Sequence, residues 1–285
     1  MVAEVGEITK LPVCRESAIG VFLDAGELGE VLLPKNELPY DRRQGTEGEE
    51  FEVFLYRDSE DRPIATLSRP TLLLGGVGVL NVVSATKIGC FLDWGLPKDL
   101  LLPFREQRGR PQEGCKVVVA VKKDLSSDRI IATQRVEKFL GQEAPQYDIG
   151  QEVDLIIFGQ TDLGFKAVVN GTHNGLLFAS ETFREFRIGD QTNAYIKDVR
   201  EDWKIDLSLT LPGAAGVESV EEKILAELSS RGGFWDLHDR SPAEEIYREL
   251  SISKKLFKKA TGSLYRQRKI TLESDGIRLA RQNDS

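Results

Sequence analysis

The amino-acid sequence predicts a mainly β protein: three small five-stranded barrels in tandem, followed by an α+β unit. The first observation is a near-repeat, AIGVFLDAG at Ala18–Gly26 and KIGCFLDWG at Lys87–Gly95. The second is that each copy stands inside a longer pattern of alternating apolar residues bounded by Gly, Asp and Asn, which is a strand signal. The third is a change to helical spacing after Leu211. Together these observations predict repeated β domains and a different C-terminal domain.

The repeats share their elements in the same order. Each of the first two has a Gly-x-Phe-Leu-Asp strand, then an apolar run that ends on Leu-Pro, GEVLLP at Gly29–Pro34 and KDLLLP at Lys98–Pro103. A glycine and a further alternating strand follow, and a weaker third copy extends from Gly150 to Leu209. Five short strands in about 70 residues are typical of the OB-fold barrel. We therefore predict OB-folds in residues 1–70, 71–138 and 146–211.

Residues 217–285 are predicted to form a winged-helix domain, in which three helices precede a β hairpin. Val220–Gly233 has helical spacing, and SPAEEIYRELS has Ser241 as the expected N-cap of the second helix. SKKLFKKATGSLYRQRKI, from Ser253, supplies the third helix, and Lys269–Ala280 reads as a hairpin that turns at an Asp-Gly pair. In a winged helix the third helix can enter the major groove of DNA.

Composition limits the possible functions. The chain has 285 residues, a net charge of −8, three cysteines and two histidines. Its cysteines and histidines form no metal-ligand spacing, and no run of about 18 apolar residues or signal peptide is found, which predicts a cytoplasmic protein without a metal or a membrane span. An enzyme is the least favoured class and no cofactor is expected, because phosphate-loop and nucleophile-elbow motifs are lacking.

Basic residues are concentrated near the C-terminus of this acidic chain. Between Leu250 and Leu272 there are seven Lys or Arg residues and no acidic residue. The lysines of the third helix are spaced to line one helix face, and such a face favours contact with phosphates over simple solvation. The predicted contacts are Lys254, Lys255, Lys258, Lys259, Arg266, Arg268 and Lys269.

An aromatic side chain recurs on the predicted outer face of the first two barrels. Strand alternation places Ile19 and Ile88 on the core face, and therefore Phe22 and Phe91 on the outer face, each two residues after a glycine. A base stacked on such a ring gains about 1–3 kcal/mol, and the glycine would leave room for it. The alternative is that each ring packs under a loop. Lys166 takes the equivalent position in the third barrel, where it would contact phosphate.

Further candidates for nucleic-acid contact follow from position. Trp94 lies in the turn after the second repeat's Gly-x-Phe strand, and Phe104 follows its apolar run. Arg62 and Arg129 precede the fifth strands of their barrels, so their recurrence favours a shared role. Trp203 occupies the corresponding turn of the third barrel.

This order of elements resembles a known family. The Gly-x-Phe strand, the apolar run and the terminal Leu-Ser resemble the S1-type OB-fold, an RNA-binding barrel. Three such units followed by a winged helix resemble the bacterial conserved virulence factor B family, with IGCFLDWGLPKDLLLP at Ile88–Pro103 as the most specific segment. The resemblance implies a non-catalytic, RNA-binding regulator.

The resemblance also implies which positions of each barrel contact RNA. S1-type barrels usually have two aromatic residues and a histidine; Phe22 and Phe91 match the second aromatic residue, whereas Ile19 and Ile88 replace the first. An incomplete site in every barrel favours a composite surface, on which several weak sites act through effective concentration. The histidine position falls near Leu33, Leu102 and Phe178.

The leading hypothesis is a regulator that binds single-stranded RNA across the barrels and the basic helix. One alternative is a winged-helix regulator that binds duplex DNA, with the barrels as a sensor. The other is a scaffold whose OB-folds bind protein partners. The sequence does not specify these partners, and the net charge of −8 is less suited to RNA than to a protein.

Overall fold

The computed structural model describes residues 3–38, 46–179, 182 and 185–280. The chain divides into two compact units, Met1–Leu140 and Gly141–Ser285. The first unit holds two five-stranded barrels, and the second holds a third barrel and a winged helix. The predicted fold class is confirmed, whereas the four predicted domain boundaries stay predictions.

The first barrel is closed, with its strands in the order β1-β2-β3-β5-β4. A bulge between Val13 and Arg15 bends β1, so that one strand pairs antiparallel with both β2 and β4. Closure is completed by parallel pairing of β3 with β5. The strands are β1 (Ile8–Ser17), β2 (Gly20–Asp24), β3 (Glu30–Pro34), β4 (Glu50–Arg57) and β5 (Pro63–Thr66).

The second and third barrels repeat this plan. In the second, the order is β10-β9-β6-β7-β8, and β8 lies beside β10 without a strand pairing, so the barrel is nearly closed. The third is closed in the order β11-β12-β13-β15-β14. The second comprises β6 (Val77–Ala85), β7 (Gly89–Asp93), β8 (Leu100–Pro103), β9 (Lys116–Lys123) and β10 (Ile130–Thr133). The third comprises β11 (Glu152–Thr161), β12 (Gly164–Val169), β13 (His173–Phe178), β14 (Gln191–Val199) and β15 (Ile205–Ser208).

One glycine position is common to all three barrels. Gly20, Gly89 and Gly164 each begin the second strand with a φ close to +150°. A Cβ at any of them would overlap a backbone carbonyl oxygen of the paired third strand. The glycine therefore permits a close approach of two strands. It does not provide the space for a base that the sequence suggested.

The apolar core of a barrel is shared with the neighbouring domain in the first unit but not in the second. In the first unit, Phe54 and Tyr56 of the first barrel pack in one apolar cluster with Trp94 and Leu92 of the second. In the second unit, the third barrel and the winged helix have separate clusters. The two barrels of the first unit are thus joined through buried side chains.

The C-terminal domain has the predicted order of helices and hairpin. Its helix α2 is preceded by Pro242 and has no side-chain cap, because the Ser241 hydroxyl accepts a hydrogen bond from the His238 amide instead. A short strand, β16, joins the hairpin sheet and was not predicted from the sequence. Among the described residues, no helix is long and apolar enough to cross a membrane. The elements are α1 (Gly213–Ser230), β16 (Phe234–Trp235), α2 (Ala243–Leu250), α3 (Lys254–Arg266), β17 (Ile270–Leu272) and β18 (Ile277–Leu279).

Candidate nucleic-acid interface

Phe22, Phe91 and Lys166 occupy one position in the three barrels. Each lies two residues after the shared glycine, pairs with a leucine on the third strand and is half-buried. The equivalence inferred from the sequence is therefore present in the structure. What surrounds this position differs from barrel to barrel.

The ring of Phe22 is covered on one face by a cation. The Arg15 guanidinium carbon lies 3.7 Å from the ring centroid, and Arg15 also forms an ion pair with Glu30 at 2.7 Å. A base would have to replace this cation–π contact or stack on the guanidinium plane. In the first barrel the aromatic platform is thus already partly occupied.

The aliphatic residue before the shared glycine is exposed in every barrel. Ile19, Ile88 and Leu163 have 62%, 60% and 66% of their surface exposed. The prediction that Ile19 and Ile88 lie on the core face is wrong, because each second strand begins at the following glycine and the isoleucine belongs to the turn. Ile19 and Ile88 are the residues that the sequence predicts in place of the first aromatic residue of an S1-type barrel.

Trp94 is a core residue, which corrects its prediction as an exposed contact to nucleic acid. Only 3% of its surface is exposed. Its ring packs edge-on against Phe54 at 5.9 Å between centroids, and its Nε1 donates a hydrogen bond to the Lys98 carbonyl oxygen at 2.7 Å. Trp94 therefore joins the first barrel to the second as a buried residue.

Phe104 and Trp203 are exposed aromatic residues. Phe104 follows β8 and has 53% of its surface exposed. Trp203 has 48% exposed and a φ of +62°, a conformation that is strained for a bulky residue. Asp61 and Asp128 occupy the equivalent turn position in the first two barrels with positive φ as well. Strain at an exposed aromatic residue is more typical of a functional position than of a structural one.

The two recurrent arginines form ion pairs with acidic residues. Arg62 pairs with Asp58 of its own turn at 2.7 Å, whereas Arg129 of the second barrel pairs with Asp61 of the first at 2.9 Å. Both arginines are largely exposed, and exposed pairs contribute only about 0–1 kcal/mol. Their contact with phosphate stays a prediction.

A cavity of about 310 Å³ opens between the two barrels of the first unit, and Phe91 lines it. Burial, followed by the charges of Glu37 and Asp58, raises the pKa of the lining residue Tyr56 to about 12. Burial, followed by the charge of Asp93, raises the pKa of Asp99. Neither Tyr56 nor Asp99 was a candidate in the sequence, because only the packing of two barrels brings them beside Phe91.

A second cleft, of about 610 Å³, lies between the third barrel and helix α3 in the second unit. The barrel contributes Lys197, whose Nζ stands 5.6 Å from the centroid of the Phe178 ring. Helix α3 contributes Lys254, Lys255 and Lys259. None of the described residues that line this cleft is acidic. The arrangement is suited to an anion.

Phe178 is not the equivalent of Leu33 and Leu102. Strand pairing matches Phe178 with Pro34 and Pro103, each opposite the shared glycine, and gives Leu177 the buried position. The predicted equivalence is wrong by one residue because the third repeat has no proline after its apolar run. Phe178 is half-buried and stands beside a lysine, which keeps it in the candidate interface.

The basic face of α3 has one exposed cation fewer than the sequence predicts. Lys254 is half-buried, and its Nζ donates a hydrogen bond to the Ser241 carbonyl oxygen at 2.8 Å, so part of its role is structural. The remaining predicted cations, together with the exposed ring of Tyr265, which was not predicted, lie on the surface. Those cations are Lys255, Lys258, Lys259, Arg266, Arg268 and Lys269.

Comparisons with known proteins agree with these domains. A family model for the S1 domain matches residues 5–68, and one for the CvfB-like winged helix domain matches residues 222–279. Both domain types are typical of non-catalytic nucleic-acid-binding proteins, which indicates a nucleic acid as partner.

Similar proteins align over most of the chain. The protein YitL of Bacillus subtilis is 27% identical over 94% of this chain and 91% of its own length. Conserved virulence factor B of Staphylococcus haemolyticus is 26% identical over 92% of this chain and 90% of its own. A multidomain protein with nucleic acid binding domains from Streptococcus pneumoniae, solved by crystallography, is 26% identical, covers 96% of this chain and 98% of its own, and has a TM-score of 0.48. The resemblance to the conserved virulence factor B family is thereby confirmed: the chain carries an S1 domain and a CvfB-like winged helix domain and aligns with proteins of that name along most of its length.

Proposed function

We propose that the protein is a non-catalytic regulator that binds single-stranded RNA. The cleft between the third barrel and α3 carries the proposal, since Lys197, Lys255 and Lys259 line it and acidic side chains are absent from its described lining. Lysines attract the phosphate backbone of a nucleic acid without reading its sequence. A local basic cleft therefore offsets the net charge of −8 of the whole chain.

Single-stranded RNA is favoured over duplexes by the barrels. Phe91, Phe104 and Trp203 place aromatic rings at or near the surface, and a stacked base needs a free face that only an unpaired strand offers. OB-folds combine such rings with a basic groove in this mode of binding. The regulatory role rests on what the resemblance to the conserved virulence factor B family implies and on no contact in the structure.

Fluorescence anisotropy with a labelled single-stranded RNA of about 15 nucleotides tests the proposal directly. The affinity of the full chain is measured at about 50 mM and 200 mM salt. We expect binding that weakens steeply as salt rises. We expect the triple variant Lys255→Ala, Lys258→Ala, Lys259→Ala to bind more weakly and to show a salt slope smaller by about 2, from about 0.7 for each lost contact to a single strand.

A matched control removes three exposed lysines elsewhere. Lys10→Ala, Lys116→Ala and Lys223→Ala change the net charge by the same amount in the first barrel, the second barrel and α1. This control should retain nearly the wild-type affinity. Absence of RNA binding at low salt, or equal losses in the two triple variants, would refute the proposal.

Duplex DNA is the second candidate ligand, because Lys255, Lys258 and Lys259 are exposed on the third helix of a winged helix. Competition decides between the two. Unlabelled single-stranded RNA should displace the labelled RNA at a lower concentration than duplex DNA of the same length and sequence. The opposite order would assign the protein to duplex DNA.

A further inference from the structure

The cavity between the first two barrels has the form of a small-ligand site. It measures about 310 Å³, at the lower end of the roughly 300–1,000 Å³ typical of such sites. Phe91, Ile88 and Leu101 provide an apolar wall. This wall combines an aromatic ring with two aliphatic side chains, which is a suitable surface for a flat heterocycle.

Polar groups without partners line the same cavity. The Tyr56 hydroxyl and the Asp99 carboxylate have no hydrogen-bond partner among the residues that the structure describes. A tyrosine whose ring is largely buried usually has a partner for its hydroxyl group. A ligand that brings both donors and acceptors would pair with the Tyr56 hydroxyl and the Asp99 carboxylate.

The cavity is held open by contacts between the two barrels. Lys98 Nζ donates to the Arg57 carbonyl oxygen at 2.9 Å, and burial, followed by the charge of Arg129, lowers the pKa of this lysine. The ion pairs of Arg57 with Asp128 at 3.4 Å and of Arg129 with Asp61 at 2.9 Å also cross from one barrel to the other. A preformed site loses less entropy when it binds a ligand.

The charges around the cavity favour a base over a phosphate. Its cations are engaged with carbonyl oxygens or carboxylates, and Asp99 would repel a phosphate. An ionised carboxylate only accepts hydrogen bonds. Guanine is the base whose Watson–Crick edge has two adjacent N–H donors, at N1 and N2, beside an acceptor at O6. That edge matches the Asp99 carboxylate, which would accept from N1–H and N2–H, beside the Tyr56 hydroxyl, which would donate to O6.

We propose that the cavity between the first two barrels binds a single guanine base of a bound strand, with the Asp99 carboxylate accepting from N1–H and N2–H and Phe91 packing against the ring. This inference rests on the proposed binding of single-stranded RNA and adds a base preference to it. The lysines of the basic cleft in the second unit would contact phosphates and would therefore not distinguish one base from another.

The test compares two oligouridines of about 15 nucleotides that differ only in the central base, guanine or adenine. Wild-type protein should bind the guanine strand more tightly by roughly five- to hundredfold, the usual effect of one bidentate contact to a base. Asp99→Asn should remove this preference, because an amide has one acceptor oxygen where the carboxylate has two and cannot accept from both N1–H and N2–H. Tyr56→Phe should reduce the preference for guanine, because it removes the hydroxyl group and leaves the aromatic ring of residue 56 in place.

Glu113→Gln is the matched control, because Glu113 is an exposed acid of the same barrel away from the cavity and its loss changes the charge equally. This variant should keep the guanine preference. Equal affinity of wild-type protein for the two strands, or an unchanged preference in folded Asp99→Asn, would overturn the guanine site while leaving RNA binding intact. Free GMP that binds as tightly as the guanine strand would also overturn it. Failure to bind either strand would instead refute the proposed function.

Discussion

The cavity of the first unit and the cleft of the second differ in chemistry although both are formed beside an S1-like barrel. The cavity has an apolar wall, unpartnered polar groups and cations that are already paired. The cleft has lysines from two domains and no acidic residue in its described lining. Repeated barrels therefore border surfaces of different chemistry, and our proposals assign base recognition to the first surface and phosphate binding to the second.

The same division is visible at a single strand position. Phe91 and Lys166 are equivalent residues, and the first lines the cavity while the second places a cation on the third barrel. Phe22, covered by Arg15, is intermediate between them. Substitution at one site of a stable barrel has thus changed its chemistry without changing its topology.

The largest expected effect distinguishes the shared core of the first unit from the separate cores of the second. Trp94→Ala should lower the free energy of unfolding by about 3–5 kcal/mol, because it removes a large buried ring from the apolar cluster that both barrels share. Hydrogen exchange should show that amides of both barrels lose protection together, while residues of Gly141–Ser285 do not. Loss of protection confined to the second barrel would show that the two barrels unfold independently.

The next effect concerns acid stability. Burial alone would raise the pKa of Glu106, but hydrogen bonds from Lys122, at 2.8 Å, and from Thr133 lower it below its ordinary value of 4.5. A carboxylate with a lowered pKa in the folded state stabilises the protein above its unfolded-state pKa, and this contribution disappears as the pH falls through the folded-state pKa. Glu106→Gln should therefore cost about 1.5–3 kcal/mol at pH 7, the value of a hydrogen bond to a charged group.

The difference between wild type and Glu106→Gln should shrink as the pH falls below 4.5 and vanish below the lowered folded-state pKa of Glu106, which urea unfolding at several pH values measures. The exposed Glu113→Gln serves as control and should show little difference at any pH. A constant difference between wild type and Glu106→Gln down to acid pH would show that the ion pair does not contribute.

Trp203 sharpens the contrast with Trp94, since one tryptophan is exposed and the other is buried. Trp203→Asn places a residue that tolerates positive φ at a strained position, so stability should be unchanged or slightly higher. The affinity for single-stranded RNA should fall by an amount equivalent to about 1–3 kcal/mol if the ring stacks on a base. Unchanged affinity in anisotropy measurements would remove Trp203 from the interface.

The smallest effects are expected for the recurrent arginines. Arg62→Ala and Arg129→Ala should each change stability by less than about 1 kcal/mol, because their ion pairs are exposed. Arg129 lines the cavity, so its loss should weaken RNA binding more than the loss of Arg62, which pairs within its own turn. Equal RNA affinities of the two variants would show that the position of Arg129 in the cavity does not contribute to RNA binding.

The fold could be predicted because its signals are local and repeated. Strand alternation, the shared glycine and the Leu-Pro run recur at a nearly fixed distance, and α3 has helical spacing with Ser253 at its N-cap. The predictions fail where a regular pattern ends one residue earlier than expected. Ile19 belongs to the turn because β2 begins at Gly20. Phe178 is one residue out of register with Leu33 and Leu102 because the third repeat lacks the proline.

The candidate site was less predictable because it depends on contacts between distant segments. No local signal in the sequence shows that Trp94 packs against Phe54, or that Lys254 reaches the Ser241 carbonyl oxygen. Asp99 and Lys197 become candidates only when neighbouring domains enclose them. One local signal was available: a Ser or Thr, any residue, Ile or Leu, then Gly occurs in all three barrels, where the hydroxyl caps the turn that exposes the aliphatic side chain.

Salt-dependent binding of the guanine- and adenine-centred strands by the two variants tests the division of tasks most directly. We predict that the Lys255, Lys258, Lys259 triple variant lowers the salt slope by about 2 and keeps the guanine preference. We predict that Asp99→Asn removes the preference and keeps the slope. Either variant changing both quantities, or neither variant changing any, would contradict the assignment of base recognition and phosphate binding to separate surfaces.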